Sequence, residues 1–259
     1  MGSFKFKLWR GIGAAAVLAA AACAPAEQAP EASGSAEAPA PAPSAETATA
    51  PAGGGEQGEA GAASAYEGVR GDQLTALRLQ HLKGFVLVAQ RVAQSGAGDE
   101  AAALVGQGVL EVYDHAPAAE FGTLNIAAVR AAADNGAQTA AALAAIDAAR
   151  APLETDHAAL AARMADIAAG LYQGVVQPDF VDPIEYQHSL GAALAARDAL
   201  VAGEATLKAE NAAAYASALA EMDRFIALWP QTSPADTPAA YRDVLAASSR
   251  VRLTLSPFL

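Results

Sequence analysis

The sequence holds one cysteine, Cys23, so no disulfide can form within the chain. Aromatic residues make up 6% of it, and runs that alternate β-branched or aromatic with polar residues are few, which leaves little to build strands from. Histidine occurs four times, at His81, His115, His157 and His188. There is no glycine-rich phosphate loop, no Gly-x-Ser-x-Gly elbow, no His-Glu-x-x-His pair, no c-type haem attachment motif and no cysteine placed to catalyse. These absences argue against an enzyme and leave a hydrolase as the weakest alternative. Basic residues are outnumbered, 16 against 28 acidic, for a net charge of −12 that becomes about −15 if Lys5, Lys7 and Arg10 leave with an export signal. Such a chain is a poor partner for nucleic acid. The acidity either concentrates cations or serves solubility.

What is present begins with an export signal over residues 1–22: three basic residues, then an apolar run from Ile12 to Ala22, too short for a permanent span. The run Leu-Ala-Ala-Ala-Ala-Cys, ending at Cys23, resembles a bacterial lipobox, with Ala20 where a leucine is usual. The resemblance implies a lipid anchor on Cys23, and Ala24 after it implies sorting to the outer membrane. A plain secretory signal is the alternative. Residues 23–65 are nearly all Ala, Pro, Glu, Gly and Ser, a composition that cannot bury enough surface to offset its ordering entropy. They are expected to act as a tether with a reach of about 35 Å.

Residues 66–259 are expected to be all-α, an antiparallel helical bundle built from two related halves, about 71–150 and 153–259. Apolar residues recur at helical spacing from Leu74 to Val92, after Asp72 as a cap, and again from Leu104 through Val109, Leu110, Val112 and Tyr113. Further helices are expected over 124–133, up to Arg150, up to about Gln173, from Asp182-Pro183 to Gly203, over 205–229 and over 239–253. Asp182 is an N-cap acceptor, and Pro183 has its φ pre-set for the first helical position. The halves share a spacing: Gln80, His81, Gly84 and Ala89 answer to Gln187, His188, Gly191 and Ala196, 107 residues later. Chance matching in an Ala-rich chain is the competing account. Glycine inside a helix costs about 1 kcal/mol relative to alanine, so Gly84 and Gly191 point to a close crossing where the halves meet.

Glu185 and His188 are three residues apart, and Glu111 and His115 four, so each pair shares a helix face, as bundle metal sites require. His81 has Arg78 where its repeat has Glu185. Glu185 and His188 are the first candidate ligands, with Glu111, His115 and His81 as contributors and Gln80 and Gln187 as polar neighbours. A solvated face, or a buried histidine bonding a neighbour, is the structural alternative. His157 reads as an exposed first-turn residue, and Phe225 and Trp229 as core and helix stop.

The segment Tyr172 to Ala192, through Val175, Val176, Val181, Glu185 and Tyr186, resembles part of the periplasmic helical region of bacterial high-affinity iron permeases. The stretch from Asp99 to Leu124 is similar to imelysin-like proteins, duplicated helical bundles of the envelope linked to iron uptake. The chain departs from the latter in lacking their Gly-x-His-x-x-Glu motif, since Glu120 is five residues after His115. Composition and resemblance together lead to a non-enzymatic, lipid-anchored protein on the periplasmic side of the envelope. It is expected to bind a transition-metal ion, iron favoured, for uptake or handling. The alternative is a scaffold that docks an envelope transporter or other protein partner.

Overall fold

The computed structural model describes residues 62–177 and 179–259. The expected signal, Cys23 and almost all of the tether lie outside the described residues. The described chain is all-α: α1 (Gly71–Gln94), α2 (Gly98–Gly108), α3 (Ile126–Asp134), α4 (Thr139–Arg150), α5 (His157–Tyr172), α6 (Pro183–Ala202), α7 (Glu204–Ile226) and α8 (Tyr241–Leu255). Among the described residues the β pairing is one isolated bridge, Val176 with Val181. None of these helices is long and apolar enough to cross a membrane. Ala62 and Ala65 are buried, so the folded region reaches back past Tyr66.

Capping side chains set the starts of α5 and α6. The Asp182 carboxylate accepts from the amides of Ile184 (2.8 Å) and Glu185 (3.2 Å), and Pro183 opens α6, as its sequence demands. Asp156 caps α5 through the Ala159 amide. Asp72 does not cap α1: Arg70 holds the cap position, and the Asp72 carboxylate instead accepts from the Glu154 amide, tying α1 to the loop before α5. The helix expected over 205–229 breaks within α7 at Asn211 (φ −155°, ψ 92°), whose side chain accepts from the Ala214 amide. A capping side chain there offers the backbone an alternative to continued helix.

α6 is the axis of the molecule. Every residue from Glu185 to Ala196 is buried, so no polar stripe is left on that stretch, the pattern of a helix surrounded by others. Its many alanines let α5 approach closely, and Ser189 on α6 donates to the Ala168 carbonyl of α5 at 2.7 Å. On another side it crosses α1. A Cβ on Gly84 would stand 2.8 Å from the Gly191 carbonyl oxygen, and one on Gly191 2.6 Å from the Gly84 oxygen. This is the close crossing that two mid-helix glycines require. Gln80 meets Ala195 and Phe85 meets His188, so α1 and α6 run in opposite directions.

Candidate ligand pocket

The polar residues nearest this crossing divide into two groups. Gln80 belongs to the structural one: its amide donates to the Ala195 carbonyl (2.7 Å) and to Asp198 (2.9 Å), and its oxygen accepts from Arg150. Lys83 sits beside it, 2.6 Å from Asp147 and 2.7 Å from Asp198. His157 borders the same cleft, half-buried rather than exposed, packed under Gly203. Gln187 points elsewhere and donates to Glu100 at 2.6 Å.

The second group is an aromatic row followed by a carboxylate. Tyr66, His81, Phe85 and His188 follow one another with ring centres 6.0, 5.7 and 4.7 Å apart. Phe85 fits here, tilted 41° and 55° to the two imidazoles, because Gly108 faces it, where a Cβ would come within 2.6 Å of the Phe85 Cβ. Glu111 then stands 3.6 Å from Nδ1 of His188. Its placement depends on a π turn, Val109–Tyr113, that extends α2 and is closed by the Asp114 amide bonding the Val109 carbonyl at 2.9 Å. The extra residue in the turn shifts the helical phase. Leu110, expected to face inward, is 59% exposed as a result, while Val112 is buried.

A cavity of about 280 Å³ opens beside this row, lined by Tyr66, Arg78, His81, Phe85, Glu111 and His115 among others. Three of the five candidate ligands, His81, Glu111 and His115, therefore line one pocket, and His188 contacts it through Glu111 and Phe85. Glu185 is buried one turn before His188, with its Cγ 3.1 Å from where a Cβ on Gly174 would lie. His115 is exposed, and its Nδ1 bonds the Leu110 carbonyl at 2.7 Å. Arg78, which sequence reasoning passed over, pairs with Glu120 at 2.9 Å and places its guanidinium 4.3 Å from the centre of the Tyr66 ring.

No protein-family model, no curated protein and no solved structure matches the chain. The chemistry of the pocket is thus read from its own atoms. Burial pushes the His188 imidazole down to about 4, against a smaller opposing pull from Asp182. Burial likewise takes His81 to about 3, helped by the neighbouring His188 and Arg78. Burial raises the Tyr66 hydroxyl, more than Arg78 lowers it, so it stays protonated and can donate to Nδ1 of His81, 2.7 Å away. Nε2 of His81 is buried and, among the described residues, meets no hydrogen-bond partner. On His188, Nε2 faces the Gln107 amide oxygen at 3.1 Å. The two ring nitrogens of His188 are thus divided between the Gln107 amide and the Glu111 carboxylate, and the partner each one meets sets the tautomer.

These depressed values make stability depend on pH. In the unfolded chain both histidines titrate near 6.5, so below that pH the unfolded state binds more protons than the folded one. Their contribution is complete above about pH 6.5 and is lost as pH falls toward 4 and then 3. Each histidine then costs up to about 1.4 kcal/mol per pH unit. Urea titrations should give a clearly lower midpoint at pH 5 than at pH 7.5, with a smaller difference in His188→Gln. Equal midpoints at the two pH values would refute buried neutral imidazoles.

Proposed function

We propose that this is a non-enzymatic, lipid-anchored protein of the bacterial envelope whose helical domain takes a transition-metal cation, iron foremost, at the Glu111–His188 pair. His81, His115 and Glu185 supply the surroundings. The observation that carries the reading is the 3.6 Å approach of an imidazole nitrogen, Nδ1 of His188, and the Glu111 carboxylate from different helices. With the imidazole neutral, both groups can turn a lone pair on a cation held between them. An ion about 2.1 Å from each would span such a gap, and mixed imidazole and carboxylate ligation suits a transition ion. Among the described residues no group of three or more His, Cys, Asp or Glu is arranged to hold a metal. A cation here would keep water or a carrier's ligands in its other positions, which suits handling and exchange more than storage.

The domain is read as an antiparallel bundle of two related halves, supported by the reciprocal contact of Gly84 with Gly191 at matching positions of the repeat. Attachment through Cys23, on the periplasmic side of the outer membrane, follows from the lipobox resemblance. A scaffold that docks an envelope partner is the second reading, favoured by one observation: Val176, Phe180 and Ile184 are large, apolar and exposed on or beside the hairpin before α6.

Calorimetric titration of the chain from Ala24 onward with ferrous, ferric, copper and zinc ions tests the metal reading. Stoichiometric binding by the parent, lost at least roughly tenfold in a Glu111→Gln, His188→Gln double variant, is the expected result. Absence of binding in a sample shown to be helical by circular dichroism would overturn it and leave the docking reading.

A further inference from the structure

Ala62, Ala63 and Tyr66 are part of the pocket lining, and we propose that the segment that carries them, 62–67, is a hinged gate. It swings on Gly68 and Gly71 to admit the ligand and closes by seating the Tyr66 hydroxyl on His81. The proposal rests on the reading of the pocket as a ligand site and adds how that site is opened.

Ala62, Ala63 and Tyr66 line the cavity opposite Glu111 and Val112. The segment is a single turn, Ser64–Tyr66, whose internal bonds are Glu67 N to Ser64 O and Val69 N to Tyr66 O, both 3.2 Å. Side chains tie it to the body of the domain: His81 to the Tyr66 hydroxyl, Arg78 to the Tyr66 ring, and Arg163 to the carbonyls of Ala65 (2.5 Å) and Glu67 (3.4 Å). Opening would break these contacts and withdraw the buried methyls of Ala62 and Ala65, while leaving α1 and α5 paired along their lengths. The link to α1 is bounded by Gly68 (φ +74°) and Gly71 (φ +59°), and a Cβ on either would meet nothing within 4 Å. Glycine is needed there for backbone conformation, not for space, which is what a pivot requires. The closed gate also occupies Nδ1 of His81, a residue that lines the pocket. In sequence the Ala/Pro/Glu-rich tether joins the chain at this gate, so tension on the tether and occupancy of the pocket act on the same turn.

Histidine modification by diethyl pyrocarbonate at pH 7, followed by peptide mass spectrometry on the full mature chain in detergent, tests the gate without a ligand. In the parent, exposed His115 should react quickly and His81 slowly. Tyr66→Phe and Arg163→Ala should each speed modification of His81 about tenfold, equivalent to about 1.4 kcal/mol of gate closure. The rate at His115 should stay unchanged, and the melting temperature should fall by no more than about 6 °C, the equivalent of the lost closure energy. His81 reacting as fast as His115 in the parent, or at the parental rate in both variants, would overturn the gate. Ferrous titration of the same samples separates the two ideas. Iron binding with an unchanged His81 rate refutes the gate alone, whereas a raised His81 rate without iron binding upholds the gate and refutes the iron reading.

Discussion

A Gly191→Val protein should melt about 10 °C below the parent. The α1–α6 crossing puts backbone against backbone, with the Gly84 oxygen 2.6 Å from the position a Cβ on Gly191 would take. The two nearest atoms are backbone, with Val88 Cγ1 behind them at 3.2 Å, so the helices must part, and overpacking of this kind costs about 3 kcal/mol. For a domain of this size each kcal/mol lowers the melting temperature by about 2–4 °C. The milder Gly191→Ala gives the sharper test, because helix propensity alone would make it stabilising by about 1 kcal/mol. At this crossing it should destabilise instead. Adding Gly84→Ala to it should cost less than the sum of the two singles, since both open the same contact. Differential scanning calorimetry reads all four proteins, and a Gly191→Ala protein as stable as the parent would refute the close crossing.

The second large effect is asymmetric. The Lys83 side chain is 4% exposed, while its partners Asp147 and Asp198 are 47% and 30% exposed, and Arg150 stands 3.5 Å from each of them. Lys83→Met should therefore be mild, about 1 kcal/mol, because the two carboxylates keep Arg150 and reach water. The Asp147→Ala, Asp198→Ala pair should cost about 3–5 kcal/mol, because it strands a buried ammonium beside a guanidinium. Urea unfolding at pH 7 measures both. A lysine variant more damaging than the double aspartate variant would show that packing of the Lys83 stem, and not its charge, holds this interface.

The helices were legible because alanine-rich runs punctuated by Gly, Pro and capping Asp leave few alternatives, and the Asp182-Pro183 opening of α6 is the clearest case. The Gly84–Gly191 contact was legible from a cost, since glycine inside two matching helices has to be offset by something that only a close crossing supplies. The site was legible in part. Spacing along one helix suggests Glu185 with His188 and Glu111 with His115, yet the contact the structure shows is Glu111 with His188, formed between helices. No periodicity within one segment reports such a pair. The π turn carries no sequence mark beyond the nearby Gly106 and Gly108, and it decides that Glu111 lines the pocket while Leu110 faces water. Gln80 and Gln187, which hold equal places in the shared spacing, end in different surroundings because Arg150 and Asp198 await one and Glu100 the other. Equal spacing does not carry the identity of the neighbours.

The burial of α6 on every side also bears on how the chain comes together. α1 needs α6 to cover its glycine notch, yet 107 residues separate Gly84 from Gly191. Any process that handles the chain from its N-terminal end, synthesis or threading across a membrane alike, holds α1 for a long interval with its inner face unmatched. Closing so long a loop makes the arrival of α6 on that face a late and slow event.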